Sequence, residues 1–147
     1  MGSGDWNDGM SRGGHLGQGE SVWVAWFLYS TLKQFIPLCA DSERVARYEK
    51  QLITLKNSIE NNAWDGEWYL RAYLDDVTSL GSAKNEECTI DPISQSWAVL
   101  AGSGAQVRVA QALAHVDEHL ISGADVWLNL VTTPFRKKKV AHETIPG

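Results

Sequence analysis

The chain has 147 residues, enough to bury a real core without a disulfide or metal staple. Hydrophobic residues make up 44% and charged residues 21%, ordinary globular usage that argues against wholesale disorder. A formal net charge of -5 argues against a protein that binds nucleic-acid phosphates.

Seven of the thirteen glycines (Gly2, Gly4, Gly9, Gly13, Gly14, Gly17 and Gly19) fall in the first nineteen residues. Glycine serves where the chain needs φ > 0 or a close backbone approach to a ligand, so this start is either a binding loop or a floppy end. From Glu20 to Ile36 the sequence has no Gly or Pro and is apolar almost all round, which predicts a buried helix stopped by Pro37. Asp41 or Ser42 caps the next helix, with Val45, Tyr48, Leu52, Leu55 and Ile59 along one face and charges along the other. That pattern is an amphipathic surface helix.

Trp64 to Trp68 reads as a turn, and the aromatic stretch up to Tyr73 reads as a strand or irregular segment. Asp75 to Cys88 is polar and loop-like. Asp91 then stands at an N-cap with Pro92 at the first helical position, opening a short apolar helix to Leu100 that Gly102 ends. Ala105 to Ile121 is a further amphipathic helix, with Val109, Leu113, Val116 and Leu120 on one face. Arg136 to Lys139 is a basic run, and residues 136–147 read as a solvated, disordered tail. The order of buried helix, surface helix, long loop, buried helix and surface helix predicts an all-α fold of two helical hairpins, as in an α/α toroid. A four-helix bundle normally uses four amphipathic helices with short loops.

The opening Gly4-Asp5-Trp6-Asn7-Asp8-Gly9-Met10 packs two carboxylates, an amide and an indole between glycines. Sugars ask for that set: an aromatic face for the pyranose C–H face, and carboxylates or amides for the hydroxyls. Glycosidic cleavage also needs a carboxylic acid to protonate the leaving oxygen. The same residues also suit an Asx-turn loop that satisfies its own backbone.

MGSGDWNDGM, GESVW (Gly19 to Trp23), WDGEWYLRAY (Trp64 to Tyr73), DPISQSWAVL (Asp91 to Leu100) and AHVDEHL (Ala114 to Leu120) occur in an order and spacing that resemble glycoside hydrolase family 94. These are the inverting β-glucoside phosphorylases. The resemblance runs from Met1 to Phe135 and is nearest to the phosphorylase-like C-terminal region of cyclic β-1,2-glucan synthases, then to the cellobiose and chitobiose phosphorylases. It implies that residues 1–135 are part of an (α/α)6 barrel. It makes Asp8 the general acid and has Trp6 line the sugar site; Asn7 and Asp5 are expected to bind substrate beside them, with Asp5 also orienting the loop rather than acting as a base.

The implied reaction is direct displacement. Phosphate, already an anion, attacks the anomeric carbon of a terminal β-glucosyl unit while Asp8 protonates the departing oxygen. The products are α-glucose 1-phosphate and a shortened acceptor. A hydrolase would need a second carboxylate to activate water; here phosphate replaces it, so no cofactor or metal is implied beyond phosphate as co-substrate. Asp8 must be protonated at working pH, which requires a pKa above the reference of about 4.

The chain departs from the family in reading Ser11-Arg12-Gly13 where Asn-Arg-Val is usual. It also lacks the Gly-Gln-Tyr-Thr-His-Ala motif of the phosphate and acceptor side, although Thr132 to Phe135 resembles a family segment. These departures predict a piece of a phosphorylase domain that carries the acid and part of the sugar floor. A non-catalytic carbohydrate-binding piece and a helical-hairpin interaction module are the alternatives. Expected partners are a β-glucan or β-glucoside and phosphate, with no nucleic acid and no membrane contact from this segment.

Other residues invite chemistry less strongly. Trp23, Trp26, Phe27 and Tyr29 form an aromatic set that is more often core than sugar platform. Arg71, Gln95 and Trp97 sit in family-like blocks with packing or structural hydrogen bonding as their expected role. Glu20 is a candidate helix N-terminal carboxylate. His115 and His119 share a helix face at a metal-compatible spacing, yet HVDEH lacks the Glu placement of HExxH, and two half-exposed histidines are the commoner explanation. Cys39 and Cys88 form no CxxC, so neither zinc nor redox chemistry is indicated. Two cysteines fit a reducing compartment. With no apolar stretch of about 20 residues and no signal-peptide layout, this predicts a cytoplasmic segment, compatible with a membrane-anchored parent.

Overall fold

The computed structural model describes residues 10, 13–122, 127–132 and 134–135. Four α-helices dominate: α1 (Val22–Phe35), α2 (Ser42–Asn62), α3 (Pro92–Leu100) and α4 (Gln106–Leu120). A 3-10 turn at Ile36–Leu38 carries the chain from α1 toward α2. Helix α1 packs against both α2 and α3, and α3 packs against α4. Among the described residues these are two helical hairpins, with the first helix of each touching the other, and no closed barrel. The tail 136–147 lies outside the described residues.

The helix boundaries follow local chemistry. Asp41 caps α2 by accepting from the Glu43 and Arg44 amides at 3.0 and 3.1 Å. Asp91 caps α3 by accepting from Ile93 N at 2.8 Å, with Pro92 in the first turn. Gly102 follows α3 at φ +61°, the left-handed geometry that lets the chain turn into α4. Ala105, at the N-cap of α4, offers no side-chain acceptor; Glu60 of α2 supplies one, accepting from Ala105 N at 2.9 Å. The same carboxylate pairs with Arg108 at 2.8 Å and accepts from the Tyr69 hydroxyl, locking the end of α2 to the start of α4.

Two expectations from the sequence are corrected. Helix α1 buries only the stripe Val22, Trp26 and Ser30. Val24, Phe27, Leu28 and Phe35 remain 41–46% exposed. Helices α2 and α3 provide its helical neighbours, and two clefts of about 520 Å³ lie along the rest, one lined by Phe27, Phe35 and Trp97, the other by Val24, Leu28 and Leu55. On α4 the buried residues are Ala112 and Leu120, with Val109 and Val116 packed beside them, whereas Leu113 is 41% exposed. A small alanine at the contact lets the helices approach closely, so the buried stripe runs one residue away from the larger leucine.

The stretch expected to be a strand or irregular contributes β2 (Ala72–Tyr73), the middle strand of a small antiparallel sheet; β1 (Glu20–Ser21) lies where the first helix was expected to begin, and β3 (Ser79–Leu80) lies in the expected loop. Register pairs Ser21 with Ala72 and Ala72 with Leu80. The predicted turn before it is an Asx turn, in which Asp65 accepts from the Glu67 and Trp68 amides and Gly66 takes φ +112°. A hairpin of β4 (Ile121–Ser122) and β5 (Trp127–Leu128) follows α4.

Candidate functional site

Asp5, Trp6, Asn7 and Asp8 lie outside the described residues. What the structure gives is the scaffold that follows them in sequence. Met10, two positions after Asp8, is 2% exposed and packs with Ala72, Leu80 and Cys88, flanked by Leu74, Val131 and Phe135. This second apolar cluster is separate from the main core around Trp26 and Tyr69. Unbranched and polarizable, methionine fills such an irregular gap well.

The glycine-rich turn from Gly13 to Gly19 is held by one carboxylate. Asp75 accepts from the amides of Leu16, Gln18 and Gly19, each at 2.9 Å, and its own amide donates to Gly13 O at 3.0 Å. His15 Nδ1 lies 3.4 Å from the same carboxylate, whose side chain is only 9% exposed. Partial desolvation pushes the Asp75 pKa upward, but the three amide donors and His15 outweigh it and hold the carboxyl below its ordinary value. Gly13 and Gly14, at the start of this turn, are buried. A Cβ on Gly19 would stand 2.8 Å from both Gly13 O and Gly14 Cα, so glycine is required there by close approach rather than by φ. Of the two readings of the glycine-crowded start, the part from Gly13 onward is therefore a fixed loop. Sequence reasoning missed Asp75, whose loop partners lie 56–59 residues away along the chain.

The turn joins the sheet through Glu20, which pairs with Tyr73 in β1 and stands before Ser21, the N-cap of α1. Glu20 is thus on the strand, outside the first helical turn where a dipole role was expected. Under the sheet, Arg71 is 1% exposed and its Nε sits 3.0 Å from Asp91 Oδ2. Its Nη1 also reaches Ser21 Oγ at 3.2 Å. Gly81, at φ +79°, lets the backbone pass Arg71 so closely that a Cβ would stand 2.6 Å from Arg71 N. Arg71 therefore ties β1, β2 and α3 together. Gln95 of α3 clamps Tyr69 by accepting from its amide at 2.9 Å and donating to its carbonyl at 2.7 Å. Both residues have the structural hydrogen-bonding role expected of them.

The aromatic set divides in two. Trp26 is fully buried against Tyr29 and Tyr69, whereas Trp23, Phe27 and Trp97 contact one another on a partly exposed side of α1. Cys88 is buried at φ +50°; burial first, and then the nearby Asp91 charge, push its thiol up to about 12. Cys39 is partly exposed in the connection between α1 and α2. No described helix is long and apolar enough to cross a membrane.

Comparison with known proteins places this scaffold. The family model for the glycosyl hydrolase 94 superfamily, catalytic domain, matches residues 1–146. The cyclic beta-(1,2)-glucan synthase NdvB of Rhizobium meliloti (strain 1021) is 45% identical over 139 residues, covering 92% of this chain and 5% of that protein. Solabiose phosphorylase of Paenibacillus borealis is 38% identical over 123 residues, covering 81% of this chain and 16% of that protein. The 3-O-beta-D-glucopyranosyl-beta-D-glucuronide phosphorylase of the same organism is 35% identical over 120 residues, with 80% and 16% covered. The chain thus spans a small part of the length of the relatives it matches.

Proposed function

The chain belongs to the glycosyl hydrolase 94 superfamily through its catalytic domain, and on that premise we propose that it carries the acid-bearing segment of an inverting β-glucoside phosphorylase. Asp8 protonates the glycosidic oxygen, Trp6 stacks on the sugar, and Asn7 and Asp5 hold hydroxyls and the loop. Inorganic phosphate attacks the anomeric carbon from the opposite face. The C–O bond to the acceptor breaks, the new C–O bond to phosphate forms with inversion, and α-glucose 1-phosphate leaves. A β-linked glucan or glucoside is the donor, and the match to a cyclic beta-(1,2)-glucan synthase favours a β-glucan.

The observation that carries this reading is the rigidity of the loop that follows the acid. A proton donor is useful only when held within about 0.5 Å of its productive position. Met10 is buried two positions after Asp8, and three amides of the Gly13–Gly19 turn close on Asp75. A loop fixed in this way suits pre-positioned acid catalysis better than a spacer between helices would.

Incubation with β-glucan and phosphate, followed by measurement of glucose 1-phosphate, tests the proposal in a catalytic domain containing this segment and in the 147-residue chain itself. Product from the larger domain that disappears in Asp8→Asn is expected. Glucan affinity that is lost in Trp6→Ala, with no product from either preparation, would select carbohydrate binding without turnover instead.

A further inference from the structure

Away from the glycine loop, one face of α4 gathers metal-ligating groups. His115 and His119, one helical turn apart, hold their rings parallel (2° between planes) with centroids 5.5 Å apart. Glu118 lies between them: its Oε2 is 3.6 Å from His115 Nδ1 and 3.9 Å from His119 Nε2. Glu67, from the Asx turn, approaches the far side of His115, with Oε2 3.1 Å from Nε2. Gln111 Nε2 donates to that same Glu67 oxygen at 3.1 Å and so fixes the carboxylate in place. The indole of Trp68 backs both imidazoles edge-on, at 5.0 and 5.7 Å.

The hydrogen-bond directions leave something unsatisfied. Glu67 is an acceptor, so His115 donates to it from Nε2–H, and a neutral imidazole then carries its lone pair on Nδ1. That Nδ1 is buried and makes no hydrogen bond. It faces a carboxylate oxygen across a gap of 3.6 Å, so that in the neutral ring a lone pair is set against negative charge. A cation between the two turns this repulsion into a pair of bonds. Zinc-type ions bind imidazole nitrogen and carboxylate oxygen at about 2.0–2.2 Å, which sets neighbouring donor atoms about 3.4 Å apart in a tetrahedron. One donor atom from each of His115, Glu118 and His119 lies within 4.8 Å of the other two, near that spacing before any side-chain adjustment. A carboxylate on the other nitrogen of a metal-binding histidine orients the ring and raises its basicity, and Glu67 already stands in that position.

We propose that His115 Nδ1, His119 Nε2 and Glu118 form a site for one divalent cation of the zinc class, with Glu67 as the orienting carboxylate of His115. Three protein donors leave a fourth position for water or a ligand. The neighbouring Trp68 anchors the site to the core by donating from its indole N–H to Gly81 O and Thr89 O, each at 2.9 Å.

Titration of the full 147-residue chain with Co²⁺, read by the visible absorption of a low-symmetry Co²⁺ centre and reversed by Zn²⁺, tests this. The expected result is one Co²⁺ per chain, with affinity at least tenfold lower in Glu118→Gln and in His119→Ala. Glu67→Gln is expected to lower affinity about 10–100-fold, as loss of an outer partner does at other metal sites. Glu118 is 67% exposed, so Glu118→Gln leaves the fold in place even if a histidine variant does not, and far-UV circular dichroism of each variant confirms this. Absence of Co²⁺ uptake by the parent chain overturns the proposal. So does uptake that Glu118→Gln and His119→Ala leave unchanged, since the ion would then be held elsewhere.

Discussion

Removal of the Asp91 carboxylate probes the joint on which the small sheet and α3 depend. Its two oxygens do separate jobs: Oδ1 accepts from Ile93 N at 2.8 Å and caps α3, while Oδ2 holds Arg71 Nε at 3.0 Å. Asp91→Asn leaves one oxygen for two donors and removes the countercharge of a guanidinium that is 1% exposed. Loss of one member of a buried pair costs about 3–5 kcal/mol, chiefly because the other charge is left uncompensated. We expect about 3 kcal/mol for Asp91→Asn, since asparagine remains a good N-cap, and about 1 kcal/mol more for Asp91→Ala, which loses the cap as well. For a domain of this size 3 kcal/mol corresponds to about 6–12 °C in Tm. Urea unfolding followed by circular dichroism measures the differences, and Arg71→Met with Asp91→Asn completes a double-mutant cycle. The double variant should lose about 2 kcal/mol less than the two single losses added together, because the second substitution removes a charge the first had stranded. An Asp91→Asn cost below about 0.5 kcal/mol, or strict additivity, would refute the assignment of Arg71–Asp91 as a buried joint.

Other consequences are open to direct measurement. Asp75→Ala should abolish hydrogen-exchange protection of the Leu16, Gln18 and Gly19 amides while leaving α2 protected. In the unaltered chain that protection should depend on pH. The folded Asp75 carboxyl sits below its ordinary value, so its contribution is complete above about pH 4 and is lost as the pH falls through the folded pKa. Gly19→Ala must displace backbone atoms only 2.8 Å from the new Cβ, and we expect a loss of about 1–3 kcal/mol together with reduced protection at Gln18. A thiol reagent at neutral pH should modify Cys39 and spare Cys88, which is fully buried and pushed up to about 12; equal labelling of both in the native state would contradict the packing of the Met10 cluster.

Legibility in the sequence followed the range of the interaction. Helices α2 and α3 and their caps are set by residues within one turn: Asp91 is legible at the start of α3, and for α2 the structure chooses Asp41 from the pair Asp41 or Ser42. The helical hairpins could be read because apolar spacing is local. The exposed sides of α1 could not, since an all-round apolar helix says that neighbours are wanted and not which of them this chain supplies. Asp75 looked like one polar residue in a polar loop; its importance comes from three amides more than 50 positions away. Arg71 and Asp91 stood in recognisable blocks, but their pairing across 20 positions depends on Gly81 admitting the arginine backbone. The acid motif was legible by resemblance, and its four residues lie outside the described part of the structure, so the scaffold after it is what the structure adds.

The central claim is that Asp8 delivers the proton when phosphate displaces the acceptor. Glucose 1-phosphate formation from β-glucan and phosphate, compared between a catalytic domain carrying this segment and its Asp8→Asn variant, tests it most directly. General acid catalysis contributes about 10²–10⁴-fold, so the variant should lose activity by that factor. It should recover much of it on an aryl β-glucoside, whose leaving group departs without a proton. A variant within a few-fold of the parent on the glucan, or one equally impaired on both substrates, would contradict the account.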